Sequence, residues 1–181
     1  MALPSRTIGT VGVYAGSFDP MTNGHVWMID QALGLFDHLY VLVGTNPNKK
    51  HWFSTSERQR MAREICSGKS SRVSLYAPYV DKLPIDRYLV DWAKEQKATH
   101  LIRGIRNSSD LDFERVLRLF NGERAQNIET VFLMPPRNLS EVSSSFVKSL
   151  IGPVGWERTI VKYVPPVVLE ALKDRAKKDG S

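Results

Sequence analysis

Val11-Gly12-Val13-Tyr14-Ala15-Gly16-Ser17-Phe18-Asp19-Pro20-Met21-Thr22-Asn23-Gly24-His25 decides the reading of this chain. The apolar run over residues 11–14 predicts a strand, and Ala15-Gly16-Ser17-Phe18-Asp19-Pro20 is rich in turn formers. From His25 onward, Val26, Ile29, Ala32, Leu33 and Phe36 recur at helical spacing. A strand therefore stops, a loop with glycine and proline turns, and a helix starts at Thr22-Asn23-Gly24-His25. Backbone N–H groups at a helix start lack intrahelical partners, and the helix dipole favours negative charge there, so this geometry binds phosphate. A histidine in the first turn can donate a hydrogen bond to the same anion. Taken alone, the four residues read equally as a turn with a polar cap.

The apolar segments alternate in kind along the chain. Strands are expected over residues 11–14, 39–44, 73–77, 100–102 and 130–134. Helices are expected over 25–36, 55–67, 84–96, 111–126, 144–151 and 166–177. Ser54 and Glu57 have capping-box spacing, and Pro84 and Pro166 suit first-turn positions. The run Leu39-Tyr40-Val41-Leu42-Val43 is apolar throughout, which fits a strand buried on both faces of a parallel sheet. The expected fold class is α/β: an open, parallel, five-stranded sheet flanked by helices, in one domain with a core over about residues 10–172. No repeat, low-complexity tract or linker interrupts it.

In such a sheet, ligands bind beyond the carboxyl ends of the strands, where the strand order switches. The loops at that edge carry Ser17 and His25, then Asn46-Pro47-Asn48-Lys49-Lys50-His51, Arg103-Gly104-Ile105-Arg106, and Pro135-Pro136-Arg137 leading to Val142-Ser143-Ser144-Ser145-Phe146-Val147-Lys148. Hydroxyls, amides, lysines, arginines and a histidine converge there. A formal net charge of +6 at pH 7 suits an anionic partner. Arg58, Arg60 and Arg63, interleaved with Glu57 and Glu64, read as a solvated helix face. Lys173, Arg175, Lys177 and Lys178 complement the dipole of the last helix.

Other classes are disfavoured. The chain has no G-x-x-x-x-G-K-S/T and no G-x-G-x-x-G, so neither a P-loop protein nor a dinucleotide dehydrogenase is expected. No Cys/His cluster points to zinc. No run approaches the roughly 20 apolar residues of a membrane span, and the first residues lack a signal peptide's apolar stretch. The lone Cys66 reads as a buried helical residue, and a cytoplasmic location is expected. A nucleic-acid module would carry aromatic residues interleaved with basic ones on its strands, and this pattern is missing.

With these residues in view, the chain resembles the bacterial phosphopantetheine adenylyltransferases over residues 11–172. The resemblance rests on Tyr14-Ala15-Gly16-Ser17-Phe18-Asp19-Pro20, Thr22-Asn23-Gly24-His25, Pro47-Asn48-Lys49-Lys50, Ile102-Arg103-Gly104-Ile105-Arg106, Asp112-Phe113-Glu114, Val131-Phe132-Leu133-Met134-Pro135 and Ser143-Ser144-Ser145-Phe146-Val147-Lys148, in this order. The wider nucleotidyltransferase superfamily usually has H-x-G-H. The threonine at Thr22 is typical of the pantetheine branch.

The resemblance implies a Rossmann-like fold and the reaction of ATP with 4′-phosphopantetheine to give dephospho-coenzyme A and pyrophosphate. It also implies Mg2+, held mainly through ATP phosphates, a cytoplasmic homohexamer, and coenzyme A as an inhibitor in the same cleft. By the same resemblance, His25 stabilises the transition state at the α-phosphate. Ser17 lies between the two substrates' phosphates, and the Phe18 backbone N–H serves ATP. Lys49 and Arg103 take the phosphopantetheine phosphate. Gly104, Ile105, Arg106, Glu114 and the stretch Leu139, Ser140, Glu141, Val142, Ser143, Ser144 and Ser145 face ATP. Leu89 matches a position along the pantetheine arm and equally fits a helical core. Lys148 either adds charge or faces solvent.

The chain departs from the family's pattern at Ala15, at Leu139 and Glu141 where aromatics are common, and at Arg87-Tyr88 in place of Gly-Leu. The nearest rival is a nucleotidyltransferase acting on a pyridine mononucleotide or glycerol phosphate. Thr22 and the serine run argue against it.

Overall fold

The computed structural model describes residues 9–45, 50–76 and 88–179. The strands are β1 (Val11–Gly16), β2 (His38–Val43), β3 (Val73–Tyr76), β4 (His100–Gly104) and β5 (Glu129–Leu133). The helices are α1 (Asn23–Leu35), α2 (Thr55–Ser67), α3 (Leu89–Glu95), α4 (Ser108–Arg124), α5 (Ser144–Ser149), α6 (Trp156–Ile160) and α7 (Pro166–Asp179). The five strands form one sheet in the order β3-β2-β1-β4-β5, and every pairing is parallel. The order reverses between β1 and β4, so the loops after these two strands open onto the switch point.

Alternate residues of each strand feed opposite faces of the sheet. Val13, Leu42 and Leu101 pack with Val90, Trp92 and Ala93 of α3. Tyr14, Val41, Val43 and Ile102 pack on the other face, with Met28, Ile29 and Ala32 of α1, Met61 and Ala62 of α2, and Val168 and Leu172 of α7. Burial on both faces explains why β2 reads as a continuous apolar run.

The capping box expected at Ser54 forms. The Ser54 hydroxyl accepts from the Glu57 N–H, and the Glu57 carboxylate accepts from the Ser54 N–H at 2.8 Å. Asn107 caps α4 by accepting from Asp110 N. Pro166 stands at the start of α7.

Two expectations need correction. The short α6 was not foreseen: a single turn begun at Gly155, with φ 80°, has too few residues to show a period, and only Trp156 and Ile160 are buried. Arg58 does not belong to a solvated face; it is 1% exposed, whereas Arg60 and Arg63 are exposed. Its phase explains this. It precedes the buried pair Met61 and Ala62 by three and four residues, so it lies on the inward side of α2. Ala77, Pro84 and Arg87 lie outside the described residues.

Candidate active site

The β1–α1 loop sets the centre of the site. Phe18 adopts a left-handed backbone conformation, with φ 47°. For a residue with a Cβ this costs about 1–2 kcal/mol, so the surroundings must hold it. Its ring is buried and meets the His25 imidazole edge-on, with centroids 5.2 Å apart. The Thr22 N–H donates to His25 Nδ1 at 2.9 Å. A nitrogen that accepts from a backbone N–H carries no proton of its own, so the ring's proton lies on Nε2. Burial, with the Arg106 charge adding to it, pushes the His25 pKa down from 6.5 to about 4. The ring is therefore neutral at pH 7 and offers an Nε2–H donor.

Gly24 is required by a close approach: a Cβ there would stand 2.9 Å from the Val142 carbonyl oxygen. Thr22 Oγ1 donates to that same oxygen at 3.4 Å. The start of α1 thus docks on the segment before α5.

At the other side of the switch point, Arg103 is held bidentately by Glu114, Nε to Oε2 at 2.7 Å and Nη2 to Oε1 at 2.5 Å. Arg106 is held by Asp110 through Nε at 2.9 Å and Nη2 at 3.1 Å. Asp110 and Glu114 are one turn apart on α4, so one helix face aims both arginines.

Asp19 joins two further segments, the 51–53 loop and α5. It is 3% exposed and accepts from Trp52 N at 3.0 Å, Phe53 N at 2.9 Å and Lys148 Nζ at 3.0 Å. His51 Nδ1 stands 3.7 Å away. Burial alone would raise the Asp19 pKa; the two N–H donors and Lys148 outweigh it and hold the carboxyl below its usual value. This settles Lys148: it serves Asp19 at the cleft wall and does not face solvent. The Trp52 carbonyl in turn accepts from Arg175 of α7.

These elements enclose a cleft of about 500 Å³, within the usual range for small-molecule sites. Ser17, His25, Arg103, Gly104, Arg106, Glu114, Leu139, Val142, Ser143, Ser144 and Ser145 line it, together with Asp19, Lys50, His51 and Lys148. Lys49 lies outside the described residues. Several expected residues do not reach the cleft. The Phe18 ring packs behind His25. Ile105 is buried, with its N–H bonded to the Leu133 carbonyl. Ser140 Oγ donates to Arg137 O, and Glu141 is exposed. Leu89 packs against the apolar cluster on the α3 face. Of the serine hydroxyls, Ser143 caps α5 by accepting from Phe146 N, and Ser144 donates to Pro20 O. Sequence reasoning missed Asp19 as a junction. The signal available was its place in the loop, one residue before a proline.

His25 should titrate far below an ordinary histidine. Imidazole ¹⁵N spectra of the free protein, assigned against His25→Asn, should show the Nε2–H tautomer and a midpoint near pH 4. A midpoint near the unperturbed ~6.5 would mean that the ring is solvated and free to act as a base. Between pH 6.5 and 4 the unfolded chain binds a proton at this position that the folded chain does not, so its contribution to stability is intact above that window and declines as pH falls through it.

A family model described as cytidylyltransferase-like matches residues 13–150. The phosphopantetheine adenylyltransferase of Chromobacterium violaceum is 48% identical over 161 residues, which span 88% of this chain and 93% of that protein. The enzyme of the same name from Neisseria meningitidis serogroup C is 46% identical over 160 residues, 88% of this chain and 90% of that protein. That of Streptococcus equi subsp. zooepidemicus is 40% identical over 167 residues, 91% of this chain and 93% of that protein. Among solved structures, Plasmodium falciparum nicotinic acid mononucleotide adenylyltransferase complexed with NaAD aligns with a TM-score of 0.66, covering 91% of this chain and 95% of that one, at 19% identity. At that identity the likeness is one of fold.

Proposed function

The chain belongs to the cytidylyltransferase-like family and, within it, to the phosphopantetheine adenylyltransferases, and from that premise we propose how its cleft works. The enzyme is a nucleotidyltransferase of coenzyme A biosynthesis: it transfers the adenylyl group of ATP to 4′-phosphopantetheine, giving dephospho-coenzyme A and pyrophosphate. A phosphate oxygen of the acceptor attacks the α-phosphorus of ATP in line. The bond from that phosphorus to the bridging oxygen breaks, and pyrophosphate leaves with the electron pair. The attacking phosphate is already an anion at neutral pH, so no base is required. Catalysis is positioning and charge stabilisation.

The observation that carries this reading is the neutral, pre-oriented His25 ring at the switch point, with Arg103 and Arg106 across the cleft. Nε2–H donates to the α-phosphate oxygen as negative charge builds there. The Ser17 hydroxyl and the Phe18 N–H lie between the two substrates' phosphates. Arg103 and Lys49 take the acceptor phosphate. Gly104, Arg106 and Glu114 hold ATP from the β4 side, and Leu139, Val142, Ser143, Ser144 and Ser145 hold it from the α5 side. Ser145 is the exposed residue of the serine run.

Among the described residues no group of three or more acidic, histidine or cysteine side chains could hold a metal, and Asp19 and Glu114 are already engaged by Lys148 and Arg103. Mg2+ held mainly through the ATP phosphates and water would neutralise charge on the leaving pyrophosphate.

The functional state is a cytoplasmic homohexamer. On α4, Phe113, Val116 and Leu119 are 63%, 65% and 66% exposed, an apolar surface that favours association. No helix among the described residues is long and apolar enough to cross a membrane. Coenzyme A, which shares the pantetheine arm and the adenylate, competes for the same cleft.

The test is pyrophosphate release from ATP and Mg2+ with each acceptor in turn. Release should require 4′-phosphopantetheine. Release that instead requires nicotinic acid mononucleotide or glycerol phosphate would overturn the assignment.

A further inference from the structure

Arg58 heads the fully buried side chains by size, although it is a cation. A guanidinium has five N–H donors, and here each has an acceptor. Nε donates to Phe53 O at 3.2 Å. Nη1 donates to Ser17 O at 2.6 Å and to Gly44 O at 2.7 Å. Nη2 donates to Thr45 Oγ1 and Thr55 Oγ1, both at 3.1 Å. These acceptors lie on three separate segments: the loop after β1, the end of β2 and the entry to α2. Among the described residues, no carboxylate touches the guanidinium.

A buried charge bonded only to neutral oxygens is a poor way to stabilise a core. What the planar fork supplies is geometry, because it fixes where three loops meet. One of its acceptors is the Ser17 carbonyl, which belongs to the peptide joining Ser17 to Phe18. Phe18 holds a left-handed conformation, and its ring stands edge-on to His25.

We propose that Arg58 is a positioning residue for adenylyl transfer, acting through the Ser17–Phe18 peptide on the phosphate-binding loop and, through the Phe18 ring, on His25. A cation bonded to the Ser17 carbonyl also polarises that peptide and strengthens its N–H as a donor to phosphate. This inference rests on the reading of the cleft given above.

The experiment measures kcat and both KM values for Arg58→Lys, with Arg63→Met on the exposed face of α2 as control, at a temperature where circular dichroism shows each variant folded. Lysine keeps the charge and loses the fork. The expected result is a fall in kcat of about 100-fold, the size of effect that a displacement of about 1 Å produces in a reacting constellation. Both KM values should change much less, the His25 imidazole resonances should shift, and the control should stay at the wild-type rate. A folded Arg58→Lys with wild-type kcat and unshifted His25 signals, whatever its melting temperature, overturns the proposal. Should Arg58→Lys not fold, Thr45→Val combined with Thr55→Val removes the acceptors of Nη2 and leaves the charge. A several-fold fall in kcat then supports the proposal, and an unchanged kcat overturns it. His25→Asn is measured alongside. If it keeps full activity, the reading of the cleft fails, and that outcome is distinct from a failure at Arg58.

Discussion

His25→Ala should lower kcat by about 10²–10³-fold, the range for removing one preorganised donor from a developing oxyanion. The KM values for ATP and 4′-phosphopantetheine should move far less, because the ground-state anions keep Arg103, Arg106 and the backbone donors. The protonation state of His25 decides its role. His25 Nδ1 accepts from the Thr22 N–H, and burial holds the pKa near 4, so the ring works as a neutral donor throughout the physiological range. A general base would give a rate that rises with pH through the histidine's own titration. A neutral donor gives a rate without that limb above about pH 6, and a transition-state effect confined to kcat. Steady-state kinetics from mildly acidic to alkaline pH, on wild type and variant, separate the two. A variant that loses affinity while keeping kcat would reassign His25 to ground-state binding.

Asp19→Ala should be the most destabilising single change at the site, by about 3–5 kcal/mol, the usual cost of removing one partner of a buried ion pair. The Trp52 and Phe53 N–H groups and the Lys148 ammonium would all lose their acceptor together. Denaturant unfolding at neutral pH measures this. Asp19→Asn should cost less, since its amide oxygen still accepts from the two N–H groups while Lys148 loses its counter-charge. The wild type carries the same weakness in acid. The Asp19 pKa is held down in the folded state, so its contribution is present above the unfolded carboxyl value of about 3.9 and is lost as pH falls through the folded one. Equal stabilities for Asp19→Ala and wild type would mean that the 51–53 loop and α5 hold their places without it.

Much of this architecture is legible in the chain because its signals are local. The five strands, the parallel pairing and the capping box at Ser54 follow from runs and spacings that a single segment contains. His25 is legible because Thr22, Gly24 and the helical period sit beside it. What stays hidden depends on distant partners. Glu114 reads as an ATP-site acid, and only the fold brings it onto Arg103, eleven positions away in sequence. Lys148 reads as either solvated or charged until Asp19 is found 129 positions away. Arg58 is chemically identical to Arg60 and Arg63, and its phase against Met61 and Ala62 is the one local hint that it turns inward. Glycine at position 24 reads as a turn former, whereas its reason is the Val142 carbonyl that leaves no room for a Cβ. α6 escapes because one turn cannot display a period.

The pairing of Arg103 with Glu114 and of Arg106 with Asp110 has a consequence for the entropy of ligand capture. An arginine free in solvent samples many rotamers and gives up as much as about 2 kcal/mol of side-chain freedom when a ligand pins it. Here the α4 carboxylates have already confined both guanidiniums, with two bonds apiece. That loss is incurred when the chain folds. An arriving phosphate therefore meets donors whose directions are set, and its affinity reflects contact more fully than it would on a surface of mobile cations.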